Sequence, residues 1–217
     1  SDTLEKITAT IVDAAENGRD DIAPLIVEVV AANAGDPEAL TQCVSALSSS
    51  SVGSAGLTSI VASADMTQTA RVAAMKGLSS SIMAGHPIEI QLNTPEEALS
   101  LLSAAKAHVS EGGRATADVF STLKINSKEA ADAIVEDGGI EMMQSMLRNE
   151  DGGLQAVSAL RKIVHASAAG GNDATVRNKL QTLKIGAKIA SAMQANGDEK
   201  FALDCLMLLQ EISQEMW

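Results

Sequence analysis

Residues Asn126 to Ser167 read NSKEAADAIVEDGGIEMMQSMLRNEDGGLQAVSALRKIVHAS. Apolar residues recur there at intervals of three and four, broken by glycine pairs and short polar runs. That is the pattern of amphipathic helices joined by tight turns. A short helix is predicted from about Ser127 to Asp137, stopping at Gly138-Gly139. A second carries Ile140, Met143, Met146 and Leu147, and a third carries Leu154, Val157, Leu160 and Ile163. None of the three can bury its apolar stripe alone. Each needs a neighbour, and similar units lie on both sides.

Toward the N-terminus, Asp2 to Asn17 carries Leu4, Ile7, Ile11 and Ala15 and stops at Gly18. Asp21 to Ala34 places Ile22, Leu25, Ile26, Val29 and Val30 inward. Asp36 and Pro37 then supply an N-cap and a first helical residue for a helix through Leu40, Cys43, Val44 and Leu47. It ends in the serine run 48–51, expected to be a solvated turn, as is Ser79 to Ser81. Ser54 to Ala64 holds Leu57, Ile60 and Val61. Asp65 is the expected cap of the next helix, which carries Ala70 or Val72, Ala73, Met75 and Leu78 and fades by Gly85.

His86 to Asn93, HPIEIQLN, alternates with the period of a strand. With no second strand in view, it is expected to be an extended connector. Thr94-Pro95-Glu96-Glu97 has the form of a capping box and starts a helix reaching about Ser110. Arg114 to Ile125 is expected to be helical, with Ala117, Phe120 and Leu123 or Val119 inward. Asn126 with Glu129 is the expected cap of the helix after it. Beyond Asn172 or Asp173, Val176, Leu180 and Leu183 line one helix. Ile185, Ile189 and Met193 line a second, and Phe201 to Met216 forms a third.

The units superpose by displacement along the chain. Moved forward by 46, Met143, Leu147, Ala156, Val157 and Leu160 fall on Ile189, Met193, Ala202, Leu203 and Leu206. Moved back by 113, Val157, Ala159 and Leu160 fall on Val44, Ala46 and Leu47. Moved back by 85, Val157, Ala159, Leu160 and Ile163 fall on Val72, Ala74, Met75 and Leu78. Periods near ~40–47 residues belong to arrays of helical pairs or triplets.

The segments Ala133-Ile134-Val135-Glu136-Asp137-Gly138-Gly139-Ile140, Met143 to Leu147 and Ala156-Val157-Ser158-Ala159-Leu160 together resemble an armadillo repeat. The two-helix HEAT repeat is the structural alternative, toward which the second unit leans. The resemblance implies an all-α, right-handed α-solenoid of about five armadillo-like repeats. They form one domain over 1–217, with approximate repeats 2–51, 52–85, 94–125, 126–171 and 172–217. It also implies that the third helices line a concave groove for an extended peptide or a partner domain. The importin-alpha branch carries a Trp and Asn ladder on those helices. Here the Trp positions are Ser45, Ala73, Ser121, Ser158 and Asp204, and the Asn positions are Ser49, Gly77, Ile125, Lys162 and Leu208. That mode of peptide reading is therefore not expected. The candidate partner-binding residues on this face are Ser45, Ser121, Ser158, Lys162 and Asp204.

Composition narrows the function class. The aromatics are Phe120, Phe201 and Trp217, so the core must be aliphatic. Sixteen basic residues face 28 acidic ones, and the net charge of −12 argues against nucleic acid and against an anionic membrane surface. No apolar run is long enough to span a bilayer. Cys43 and Cys205 lie in apolar runs, as buried thiols of a reducing compartment would; the chain is expected inside the cell, in the cytoplasm. His86, His108 and His165 are scattered, with no metal-ligand spacing. The glycine pairs lack the Lys-Ser/Thr of a phosphate loop and read as helix stops.

No catalytic residue, metal or cofactor is expected, and the chain reads as a non-catalytic scaffold or adaptor whose partner is another protein. A permanent subunit of a cytoskeletal, ciliary or organellar assembly is one alternative. A co-chaperone or transport-receptor-like adaptor is another, and an enzyme with a site invisible in the sequence a third. The last helix is apolar on more than one side, which implies a further repeat or a partner at that end.

Overall fold

The structure, a computed structural model, describes residues 23–109, 113–148, 152–168 and 174–215, with Lys6, Ala9, Thr10, Asp13 and Asn17 before them. Most of the helix expected over Asp2 to Asn17 falls outside these residues, though Lys6, Ala9, Thr10 and Asp13 are helical, and its stop at Gly18 and the openings at Asn172 or Asp173 fall outside them too. Among them the chain forms twelve helices and one pair of short strands. The helices are α1 (Ala23–Ala32), α2 (Pro37–Leu47), α3 (Ser51–Ala62), α4 (Gln68–Met83), α5 (Pro95–Val109) and α6 (Arg114–Ser121). They continue with α7 (Lys128–Glu136), α8 (Gly139–Met146), α9 (Gly153–Ala168), α10 (Ala174–Thr182), α11 (Ile185–Ala195) and α12 (Glu199–Glu215). Strand β1 (Ile90–Leu92) lies between α4 and α5, and β2 (Leu123–Ile125) between α6 and α7.

The helices pack in two rows. Helices α2, α4, α6, α9 and α12 form one row, each against the next. Helices α1, α3, α5, α7 and α10 form the other in the same manner, with α8 and α11 filling in against α9 and α12. The core runs between the rows. Leu40, Val44 and Leu47 of α2 meet Leu57, Ile60 and Val61 of α3 and Met75 and Leu78 of α4, and all are buried. Further along, Phe120, Ile134, Met143, Leu160, Ile189 and Phe201 are fully enclosed or nearly so. Each such side chain contributes roughly 1.5–3 kcal/mol relative to exposure.

The correspondence between the last two units is close. Their helices begin at Lys128 and Ala174, at Gly139 and Ile185, and at Gly153 and Glu199, each pair 46 residues apart. The joint between the first two helices keeps its conformation as well. Gly138 has φ +86°, and Lys184, 46 residues on, has φ +50°. Glycine adopts this left-handed geometry freely, whereas lysine is strained there. In α4, Gly77 lies where a Cβ would come within 2.5 Å of Val44 Cγ1 and 2.9 Å of Leu57 Cδ1. The missing side chain lets α4 approach α2 and α3.

Several local expectations hold. Asp36 accepts from the Glu38 and Ala39 N–H groups at 3.0 and 3.2 Å, with Pro37 first in α2. Thr94 and Glu97 exchange reciprocal bonds, and Glu97 also accepts from the Asn93 N–H at 2.7 Å.

Others change. Asp65 does not cap α4; Thr67 does, accepting from the Ala70 N–H, because the chain needs two more residues to turn from α3. The serine run 48–51 is not simply a solvated turn. Ser50 is buried and caps α3, which starts at Ser51. Ser79 and Ser81 are also buried, since α4 is enclosed by α2, α3, α5 and α6. Leu25 is 49% exposed rather than inward, because the inner stripe of α1 is carried by Ile26 and Val30.

The largest correction concerns the connector. Ile90–Leu92 is a strand, and its partner is Leu123–Ile125, expected to be the end of a helix. Helix α6 stops at Ser121, and Thr122 turns the chain out. The strands are parallel, with Ile90 opposite Leu123 and Leu92 opposite Ile125. Asn126 accordingly does not cap α7. Its amide donates to Asn93 Oδ1 at 2.9 Å, and Ser127 takes the capping role.

Candidate functional site

The row α2, α4, α6, α9, α12 carries all five residues singled out from the sequence, and the structure brings some of them together. Ser121 ends α6, and its carbonyl accepts a 2.6 Å hydrogen bond from Lys162 Nζ on α9. Burial lowers the pKa of Lys162, and the nearby Glu89 carboxylate partly opposes that shift. Asp204 on α12 lies 3.9 Å from the Arg161 guanidinium, whose main partner is Glu211 at 2.7 Å. That bidentate contact raises the pKa of Arg161. Ser158 is half-buried on α9, and Ser45 is exposed on α2, at the far end of the row from Asp204. Lys162 and Asp204 are thus engaged in joining one helix of the row to the next.

The row is also stitched by buried polar contacts. The Ser79 hydroxyl of α4 donates to Asp118 Oδ2 of α6 at 2.8 Å, and Arg114 Nε lies 3.6 Å from the same oxygen. Asp118 is 2% exposed. Ser54 donates to Ser81, and Ser81 donates to the Ser48 carbonyl. Sequence reasoning missed Asp118, because an aspartate in a predicted amphipathic helix is ordinarily assigned to the solvated side.

Two hollows bear on binding. One of about 400 Å³ lies between α2 and α4, lined by Leu40, Thr41, Thr69, Val72 and Lys76 among others. It is shallow and mixed in polarity. The second, about 560 Å³, lies between the end of α3 and β1, with Ser59, Ala62 and Ser63 on one wall and Glu89 and Gln91 on the other. Sequence reasoning missed this second place because it missed the strand pair. A signal was present: displaced by 33, Ile90, Leu92, Asn93, Thr94 and Glu96 fall on Leu123, Ile125, Asn126, Ser127 and Glu129.

Among the described residues no group of three His, Cys, Asp or Glu side chains is placed to hold a metal ion. His108 is buried in α5, while His165 lies exposed in the last turn of α9. Cys43 and Cys205 are buried free thiols. Burial, followed by the Asp204 charge, pushes the Cys205 thiol up to about 11. Among the described residues no helix is long and apolar enough to cross a membrane.

No protein-family model matches the chain, and no curated protein does. Among solved structures, the crystal structure of an engineered protein, a structural-genomics target, is similar to it with a TM-score of 0.60 at 17% identity. The match covers 98% of this chain and 91% of that one. At that identity the likeness is one of fold, and it extends over nearly the whole chain.

Proposed function

We propose that the chain is a non-catalytic protein-interaction module, an armadillo-like α-solenoid of about five repeats that holds a partner protein along the row α2, α4, α6, α9, α12. The observation that carries this reading is the row itself. Five helices pack one against the next, and a partly open groove between α2 and α4 has the mixed lining of Leu40, Thr41, Thr69 and Val72. Stacked repeats form such extended surfaces as a consequence of their geometry. The 46-residue spacing of the last two units, helix by helix, supports the repeat. The second and third units contain two helices each among the described residues, closer to the HEAT form.

The partner is expected to be an extended peptide segment or a helical domain. The test is quantitative affinity capture from native extract with the wild-type chain and with Thr41→Arg/Thr69→Arg. Both residues are exposed and line the α2–α4 groove, so the substitutions block it without entering the core. A partner retained by the wild type and lost by the double variant, at unchanged helicity, supports the reading. Equal capture by both moves binding off this groove. Lys162→Glu with Asp204→Lys, at the other end of the row, is the second arm; because it also breaks the contacts with Ser121 and Arg161, its loss of capture counts only at an unchanged thermal midpoint.

A further inference from the structure

The strand pair has two outer edges, and one of them belongs to β1. Ile90 donates its N–H to the Thr122 carbonyl at 3.3 Å, and the Leu92 carbonyl accepts from the Asn126 N–H at 2.9 Å. In a parallel ladder alternate residues address opposite sides. Ile90 and Leu92 therefore face β2 with their backbone groups, and Gln91 and Glu89 turn theirs to the other edge. Helix order fixes where that edge looks. β1 leads into α5 and β2 into α7, while α3 packs on α5. The free edge of β1 consequently faces the end of α3, and the 560 Å³ groove lies between them.

The α3 wall is made of small side chains, Thr58, Ser59, Ala62 and Ser63, which leaves room for a further strand. The groove lining carries Glu89, Glu96 and Glu97 and no basic residue. Glu97 is committed to its capping bonds, and Glu89 is shared with Lys124 at 3.2 Å and the Gln91 amide at 3.1 Å. Glu96 is exposed. The C-terminal end of α3 adds the negative pole of its dipole, which Arg71 partly offsets by donating to the Ser63 carbonyl at 3.3 Å.

We infer that an extended segment of a partner protein, bearing lysine or arginine at alternate positions, adds as a third strand to the free edge of β1. Its backbone pairs with the N–H and C=O of Gln91, and its cations meet Glu89 and Glu96. This is recognition by strand addition, in which the backbone supplies affinity and alternate side chains supply selectivity. A second copy of this chain is disfavoured as the occupant, because pairing β1 with β1 would bring Glu89 and Glu96 against like charges. The inference rests on the reading of the chain as a protein-binding module but uses a different surface. Thr41→Arg/Thr69→Arg leaves it untouched, so the two can fail separately.

The test is fluorescence anisotropy with a labelled octapeptide alternating lysine and threonine. Its counterpart alternates glutamate and threonine, and a third probe is the lysine peptide N-methylated at alternate residues on either edge. The wild-type chain is expected to bind the lysine peptide with a Kd below about 1 mM and more weakly as salt rises. N-methylation keeps the charge and removes the ladder, and is expected to weaken binding by about tenfold or more. On the protein side, Gln91→Pro removes the outward N–H, a substitution that edge strands accommodate, together with the Gln91 amide on Glu89; Gln91→Ala removes the amide alone and should bind as the wild type does. Gln91→Pro should reproduce that loss with an unchanged helical spectrum. No binding of the lysine peptide overturns the proposal, as does equal binding of the N-methylated or glutamate peptides.

Discussion

Removing one hydroxyl from the interior should loosen the row at its middle. Ser79 on α4 donates at 2.8 Å to Asp118 on α6, and both are buried. Arg114 reaches the same carboxylate oxygen only at 3.6 Å and is itself largely exposed. The Ser79→Ala variant keeps the size of the side chain almost constant and deletes a hydrogen bond to a buried charge. Such bonds contribute about 1.5–3 kcal/mol, and for a chain of this length each kilocalorie moves the midpoint by about 2–4 °C. The expected loss is therefore about 3–12 °C in a thermal melt followed by circular dichroism. Adding Asp118→Ala removes the stranded carboxylate, so the double variant should lose less than the two single losses together, with a coupling of at least about 0.5 kcal/mol. Ser59→Ala, on the exposed side of α3, serves as the control and should stay within about 0.5 kcal/mol of wild type. If Ser79→Ala also stays within that range, or the cycle is additive, the contact does not hold α4 to α6 as described.

Other positions give independent tests. Gly77→Ala gains about 1 kcal/mol of helix propensity, but a Cβ within 2.5 Å of Val44 overpacks the joint at a cost of about 1–3 kcal/mol. Net destabilisation is expected in denaturant titration. Lys184→Gly should raise stability by about 1 kcal/mol by relieving the left-handed strain, visible as a higher midpoint. The Cys43 and Cys205 thiols, both buried, should resist a thiol-specific disulfide reagent at pH 8 and react fully in denaturant. Because the folded state raises the Cys205 pKa from 9.0 to about 11, its contribution to stability is complete below pH 9 and is lost as the pH climbs toward 11. A Cys205→Ala variant should lack that part of the alkaline loss. Lys162 has a lowered pKa in the fold, so its contribution grows as the pH rises toward the ordinary lysine value. By NMR it should titrate below the exposed lysines.

The helical class and most joints were readable because they rest on local chemistry. Asp36-Pro37 and Thr94-Pro95-Glu96-Glu97 cap their helices as their side chains dictate, and Leu40, Cys43, Val44 and Leu47 form the buried stripe their spacing requires. What escaped was set by partners distant in sequence. Leu123-Lys124-Ile125 fits the end of a helix as well as a strand, and only Ile90–Leu92, 33 residues earlier, decides between them. Asn126 looks like a cap until Asn93 is placed beside it. Asp118 and Ser79 look like surface residues because the hydrogen bond that makes them tolerable inside joins positions 39 residues apart. Of the five face residues named from the sequence, Lys162 and Asp204 have ionic or hydrogen-bonded work between helices. A spacing argument finds a face but not whether its side chains are already spoken for.

The β1–β2 pair also bears on elasticity. Rows of helices held by side-chain packing bend by small slips at each joint, and the bend can spread along the whole array. Between β1 and β2 the joint is instead closed by main-chain bonds and by the Asn93–Asn126 amide contact. Main-chain bonds break outright before they slide. This predicts a chain that is stiffer at its waist, where α5 and α6 are looped between the two strands, than toward either end. On the proposed reading of the chain as a protein-binding module, a change in curvature on binding should concentrate in the joints α2–α4 and α9–α12, with the waist as the fixed point about which the two arms move.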